Sequence, residues 1–291
     1  MGIKSGLGHT LSALCRAAPG GLGPDRLFER LRWRLGMAAY RLIGNVAPAH
    51  QYRCVRVRGG STMELDLGEF VDRSIFCTGE WEPRESELVG AALRPGDCML
   101  DVGAYVGWFT LLAARLVGKT GRVIAFEANP ATFARLNRNL AFNGLTQVTA
   151  HNRAVGDRPG RARIGSRTSG NAGGDFVDFG AGHDDGVEVV RLDDVVGDQP
   201  VRLIKIDIEG AEAKALRGAS NLLAREDAPD LVLELTPAFI RQMGDDPAEL
   251  VGQLRSSGYR LFEILQFALA EAQGDLAGRD QVYLYCSKRT A

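Results

Sequence analysis

The chain has 291 residues, 45 % of them apolar and 24 % charged, with a formal net charge of −1. That length suits one large α/β domain with an extension, or two small domains, and the near-neutral balance provides no basic field for a nucleic-acid partner. Five scattered cysteines with no C-x-x-C pair argue against a zinc cluster or a disulfide framework, and reduced thiols imply a cytoplasmic setting.

Residues 1 to about 23 are rich in Gly and Ala and are expected to be loosely ordered; they lack the long apolar core of a leader peptide. The stretch RLFERLRWRLGMAAYRLI, from Arg26, reads as an amphipathic helix. Leu27, Phe28, Leu31, Leu35 and Tyr40 share one side, and Arg26, Arg30, Arg34 and Arg41 lie elsewhere. Such a helix packs on its own domain or on a second copy in a homodimer. Its basic face leaves a membrane-surface role as a lesser alternative, and no run reaches the roughly 20 apolar residues of a membrane span. Residues 52–58 and 62–67 alternate around Gly59-Gly60 as a hairpin, and Trp81-Glu82-Pro83 leads into a helix from Glu85 to Leu93.

From residue 98 strands and helices alternate. Strands are expected at 98–102, 122–127, 147–155, 201–207, 231–235, 259–265 and 281–286. Helices are expected at 107–117, 130–142, 211–223 and, in pieces, up to about 257. A strand pair near 161–165 and 187–192 flanks a loop of roughly twenty residues, long enough to act as a lid. This order implies an α/β fold with a mostly parallel sheet covered by helices, its last two strands forming an antiparallel hairpin at one edge. The organisation expected is an arm over 1–50, a hairpin and helix over 51–97, and a core over 98–291, with 51–291 one folding unit.

Ligands of such sheets bind beyond the carboxyl ends of the strands, which places Asp101, Glu127, Ala154, Asp207 and Glu234 at the site. The turn after the first core strand reads DVGAYVG, with Gly103, Ala104, Tyr105 and Gly107 in G-x-x-x-G spacing. Dinucleotide folds use G-x-G-x-x-G, whose second glycine lets the backbone approach a pyrophosphate. Tyr105 stands where that glycine would be, which argues against NAD and for a ligand without phosphate. Asp101 suits a ligand with a cationic group. Glu127, roughly 24 residues after Gly103, suits the two hydroxyls of a ribose and repels a 2′-phosphate. S-Adenosylmethionine combines these features. Ala154 is expected to meet its adenine by a backbone N–H or an apolar wall.

Strand 201–207 runs into KIDIEGAE. Lys205 and Asp207 alternate onto one face, Asp207 and Glu209 point into the crevice, and Glu212 sits in the first helical turn. Candidates for the base are Asp207, Glu209, Glu234 and His183, the last on the long loop. Asp207 and Glu234 end adjacent strands. They could share a divalent cation, although no metal ligand set is assigned, because a carboxylate pair alone does not define one. Trp81, Trp108 and Tyr105 are aromatic candidates near the loop.

DVGAYVGWFT, GRVIAFEANP, NRAVGD, the Asn171-Ala-Gly173 turn, VEVVRLDDV and LIKIDIEGAE, in that order and preceded by FVDRSIFCTGEWEPRE, resemble the FkbM-type methyltransferases over residues 60 to 235. The resemblance implies a Rossmann-like class I methyltransferase fold of seven strands, the last antiparallel. It also implies S-adenosylmethionine as cofactor and methylation of hydroxyls on natural products, sugars or glycolipids, as in antibiotic biosynthesis. The family usually has Asn at the position of Tyr105. An N-methyltransferase, or a non-catalytic S-adenosylmethionine-binding partner protein, fits the same motifs. The acceptor is a small hydroxylated molecule whose pocket is expected to be shaped by the arm and by loop 166–186.

Overall fold

The computed structural model describes residues 26–44, 50–166, 172–180, 185–265 and 268–289. The expected loose order of residues 1–23, the candidate base His183 and much of the expected lid lie outside the described residues. The chain divides into two compact units. One comprises residues 1–83, 138–144 and 168–173, and the other the remainder.

In the first unit helix α1 (Arg26–Gly44) is followed by strands β1 (Tyr52–Arg56) and β2 (Thr62–Asp66) and helix α2 (Phe70–Thr78). The two strands pair antiparallel, Cys54 opposite Glu64, with Gly59 at φ 81 in the turn as the alternation predicts. Helix α2 has no counterpart in the sequence pattern, where its aromatic and β-branched residues (FVDRSIFCT) favour no clear period. It ends at Gly79, whose φ of 85 supplies a left-handed cap. Helix α1 packs on α2. Among its described side chains Ala39 and Ile43 are buried, while Leu35, expected on the apolar side, is 38 % exposed. The contact runs through Gly36, where an added Cβ would lie 3.0 Å from Thr78 Cγ2, so the small residue sets the facing side. The Tyr40 hydroxyl accepts from Arg73 at 2.9 Å, and the Phe70 ring meets Tyr40 and Trp81 edge-on. No helix among the described residues is long and apolar enough to cross a membrane.

The second unit is built on strands β3 (Cys98–Val102), β4 (Arg122–Phe126), β5 (Val148–His151), β10 (Leu203–Ile206), β11 (Asp230–Leu235), β12 (Arg260–Leu265), β13 (Ala268–Glu271) and β14 (Val282–Ser287). They form one sheet in the order β13-β12-β14-β11-β10-β3-β4-β5. From β11 to β5 the pairs are parallel, and β14 runs antiparallel to both β11 and β12. This is the class I methyltransferase order with one strand added. Two expectations are corrected. The sheet has eight strands rather than seven, because β13 pairs with β12 as an edge hairpin. The last two expected strands do pair antiparallel, but β14 inserts beside β11 instead of lying at the edge. At that end of the sheet the buried Asp230 accepts from Tyr285 at 2.9 Å and Ser287 at 2.7 Å and pairs with Arg202, tying β14 to β11 and to the start of β10. Leu100, Val102, Ile204, Ile206, Leu231, Leu233 and Leu284 fill the core between sheet and helices.

Helices α3 (Pro83–Ala92), α4 (Trp108–Val117), α5 (Pro130–Asn143), α6 (Leu192–Val196), α7 (Glu212–Gly218), α8 (Ser220–Ala224), α9 (Pro237–Gln242) and α10 (Pro247–Ser256) separate the strands. The expected strand 147–155 is two strands. β5 ends at His151, and β6 (Ala154–Val155) joins a second sheet, β6-β9-β7-β8, with β7 (Gly160–Ser166), β8 (Asp175–Asp178) and β9 (Val187–Val190). The break falls at Asn152, whose amide donates to the carbonyls of Glu127 and Ala128 and turns the chain away from the main sheet. Strands β7 and β9 pair antiparallel as expected. The stretch between them carries a third strand, β8, paired with β7.

Candidate active site

The turn between β3 and α4 lies at the carboxyl end of the sheet. Gly103 and Ala104 donate to the Phe126 carbonyl at 3.0 and 2.9 Å, which folds the loop over the end of β4. Gly103 is required twice. Its φ is 88, and a Cβ there would stand 1.9 Å from the Asp207 carbonyl oxygen. Gly107, φ 98, starts α4 so close to Leu136 that a Cβ would lie 2.6 Å from its Cδ1.

Tyr105 also adopts a left-handed conformation, φ 49, which is uncommon for a bulky residue and easier for Asn. Its backbone N–H donates to Glu127 Oε2 at 2.8 Å. Glu127 Oε1 accepts from the Asn129 N–H, also at 2.8 Å. The strand-end acid therefore holds the glycine loop in shape. Each oxygen keeps a further lone pair, enough to accept from two vicinal hydroxyls. Burial lifts the Glu127 carboxyl to about 7 against the pull of the two N–H groups, and Asp175 and Asp101 push the same way. The Tyr105 ring lies 5.9 Å from the Arg135 guanidinium on α5.

Asp101 is 1 % exposed and sits beneath this loop. Its Oδ2 accepts from Thr110 Oγ1 at 2.5 Å, and its Oδ1 has no hydrogen-bond partner among the described residues. Burial raises its proton affinity, opposed by Lys205 and Thr110. Lys205 and Asp207 share a face as predicted, with Nζ 2.8 Å from Asp207 Oδ2. Lys205 is 4 % exposed and lies 4.6 Å from the centre of the Phe109 ring. Asp207 and Glu234 each offer a carboxylate oxygen, and these lie within 4.8 Å of one another. Glu234 also accepts from Gln281.

Glu209 occupies the turn at φ 55, and Glu212 holds that turn by accepting from Gly210 at 3.0 Å and Ile208 at 3.3 Å. Ala154 does not end the third strand of the main sheet as expected. It is buried in the second sheet beside Val189, in a small cluster against which Ala128 packs. It stays near the end of β4 through Ala128, the neighbour of Glu127.

Several groups escape a reading of the sequence. Asn129 caps α5, its Oδ1 accepting from Ala131 at 2.9 Å, and its amide donates to Asp175 Oδ2 at 2.7 Å. Thr110 and Glu85 are the others. Glu85, 8 % exposed, senses both Lys205 and Asp207, and burial raises its proton affinity. Only the N-cap spacing before α5 carries a local signal; the remaining pairings join distant positions.

Residues 101–261, more than half of the chain, match the family described as the methyltransferase FkbM domain. The chain belongs to the FkbM methyltransferase family. It is 29 % identical over 272 residues to the 31-O-demethyl-FK506 methyltransferase FkbM of Streptomyces tacrolimicus, covering 81 % of this chain and 97 % of that one. It is 27 % identical over 247 residues to Methyltransferase 1 of Beauveria bassiana (strain ARSEF 2860), covering 76 % and 90 %. A solved FkbM methyltransferase from Methylobacillus flagellatus KT aligns at 20 % identity and a TM-score of 0.44 over 74 % of this chain and 52 % of that one. As an FkbM methyltransferase the chain is an enzyme that uses S-adenosylmethionine. The residues present suit that cofactor, since Glu127 retains acceptor capacity and Asp101 Oδ1 is an unpartnered buried acceptor.

Proposed function

We propose that the enzyme methylates a hydroxyl group of a small natural product or sugar-bearing metabolite in the cytoplasm. The observation that carries this reading is the pair Asp207 and Glu234. They sit at the tips of neighbouring parallel strands with carboxylate oxygens within 4.8 Å, next to the glycine loop. The Streptomyces relative, a 31-O-demethyl-FK506 methyltransferase, supports an oxygen acceptor.

Glu127 would hold the ribose hydroxyls and the loop Gly103–Gly107 the adjoining part of the cofactor, with Ala154 near the adenine. S-Adenosylmethionine, when bound, supplies a methyl carbon on a cationic sulfur that leaves as a neutral thioether. Alignment of the acceptor oxygen with that carbon supplies about 7–11 kcal/mol of the barrier. An alcohol is a weak nucleophile while it keeps its proton, so an acceptor for that proton is needed as the oxygen–carbon bond forms. Asp207 and Glu234 are placed to do this. Lys205 fixes the Asp207 carboxylate, which then orients the hydroxyl, and either acid takes the proton at a carboxylate oxygen. Glu209 is the next candidate in the same crevice.

The test is methyl transfer from labelled S-adenosylmethionine to a panel of hydroxylated metabolites and matched amines. Asp207→Asn and Glu234→Gln should each lower kcat by about 10²- to 10⁴-fold, the range for general-base contributions, while leaving binding of the demethylated cofactor intact. Methylation confined to amines, or unchanged turnover in both variants, would refute this reading.

A further inference from the structure

One row of side chains crosses five strands on the face of the main sheet that carries the acids. Ile206 pairs with Leu233, so the next residues, Asp207 and Glu234, stand side by side. Glu234 lies opposite Tyr283 on β14. Glu263 lies opposite Leu284, so the next position on β12, Ile264, meets Tyr283, and Ile264 in turn lies opposite Leu269 on β13. Residues directly opposite each other project to the same face. Their neighbours along the strands, Ile206, Leu233 and Leu284, project the other way into the core. A direct contact agrees with this facing. Gln281, two residues before Tyr283 and so on its face, donates from its side-chain amide to Glu234.

The row changes character along its length. Two carboxylates occupy one end, Tyr283 the middle, and Ile264 and Leu269 the other end. Asp207, Glu234 and Tyr283 are half-buried, and Leu269 is 43 % exposed. Neighbouring strands lie about 4.8 Å apart, so the three steps from Glu234 to Leu269 span about 14 Å. A single sugar ring is shorter than that, and it carries hydroxyls that Ile264 and Leu269 cannot pair.

We propose that this row is the acceptor subsite, and that the acceptor is an elongated, mostly apolar molecule. It lies along Tyr283, Ile264 and Leu269 with its reacting hydroxyl at Asp207 and Glu234, an assignment that rests on the role given to those two acids above. Small-molecule sites are mostly apolar walls with a few polar groups that fix orientation. Here the polar groups gather at one end, where Gln281 holds Glu234. Removal of apolar surface from water along the rest supplies affinity in proportion to the length covered.

Calorimetry on the complex with S-adenosylhomocysteine tests length and chemistry together. The probes are 1-decanol, long enough to reach Leu269, 1-hexanol, too short to do so, and methyl α-D-glucopyranoside. Wild type is expected to bind 1-decanol at least tenfold more tightly than either of the others. Leu269→Asp should weaken 1-decanol about tenfold and leave 1-hexanol and S-adenosylhomocysteine unchanged. Leu269→Gln carries the same comparison if the first variant does not fold. Phe142→Asp, at an apolar residue 50 % exposed on α5, should leave all the probes unchanged. No measurable 1-decanol binding, no gain from 1-hexanol to 1-decanol, tighter binding of the glucoside, or a loss in Leu269→Asp no greater than in Phe142→Asp would overturn the proposal. Affinity for 1-decanol that falls as protein concentration rises would give the face to a second copy of the chain and overturn it too. None of these outcomes touches the role of the acids, which stands or falls on turnover in Asp207→Asn and Glu234→Gln.

Discussion

The turns that follow β3 and β10 are neighbours on parallel strands, and they solve the same steric problem in different ways. Each holds one non-glycine residue in the left-handed region, Tyr105 at φ 49 and Glu209 at φ 55. In each, a carboxylate with its pKa lifted to about 7 by burial accepts backbone N–H groups. The difference lies in where the carboxylate comes from. Glu212 belongs to the helix the turn leads into. It is 2 % exposed, and one of its oxygens, Oε1, accepts from two N–H groups of that same turn. Glu127 comes from the next strand, is only partly buried, and keeps acceptor capacity facing outward. A cap supplied from within the turn makes a rigid support, whereas a cap supplied from beside it makes a seat for a ligand.

The largest expected effect tests where the two turns touch. Gly103→Ala forces a methyl group into the Asp207 carbonyl oxygen and imposes a left-handed alanine. Strain and overpacking together should lower stability by about 3 kcal/mol, visible as a reduced midpoint in urea. Stability within about 0.5 kcal/mol of wild type would show that the turns separate easily.

Next come the two acids. Glu127→Ala should weaken S-adenosylhomocysteine binding by about 1–3 kcal/mol. Glu212→Ala should instead lower stability by about 1–3 kcal/mol, because the Gly210 and Ile208 N–H groups lose their acceptor. Calorimetry and thermal melts on both variants would dissolve the distinction if the two effects changed places.

The pH dependence is smaller and its sign follows from linkage. Hydroxyl donors favour the ionised form of Glu127, whose free-site pKa is about 7. Binding therefore expels a proton, and affinity should rise between roughly pH 6 and 8. The ligand-free fold should show the opposite trend. A folded pKa above the unfolded carboxylate value withdraws stability as pH rises from about 4.5 towards 7. Titrations in buffers of different ionisation enthalpy should detect the released proton in wild type and not in Glu127→Gln. The smallest effect belongs to Tyr105→Asn. The backbone bond to Glu127 survives, and asparagine tolerates the left-handed conformation, so stability should rise by up to about 1 kcal/mol with cofactor affinity unchanged. A clear loss of affinity would assign the ring, rather than the backbone, to the site.

Legibility in the sequence follows the range of the forces involved. Strands β3, β4, β10 and β11 are short, mostly apolar and largely buried, and they read nearly to the residue. The pairing of Lys205 with Asp207 follows from strand alternation alone. Strand 147–155 reads as unbroken because the bend at Asn152 depends on carbonyls 24 and 25 residues away. Strand β13 is four exposed residues, ALAE, with no apolar alternation to reveal it. Glu85 looks like any acid in a first helical turn until the fold brings it to Lys205. Leu35 reads as apolar-side from hydrophobicity alone, but the close approach that Gly36 permits turns it outward.

The insertion of β14 between β11 and β12 also constrains how a ribosome can deliver this fold. Strands β12 and β13 emerge before β14 and can form their own hairpin, yet β12 finds its place in the sheet only through β14. Until residues 282–287 have left the exit tunnel, the β11 edge and one edge of β12 both expose unpaired backbone groups, a state open to mispairing. The ligand-bearing ends of β3, β4, β10 and β11 are complete by then. Nascent chains stalled before β14 should therefore be able to assemble the seat for the cofactor while still lacking the strand that locks the sheet.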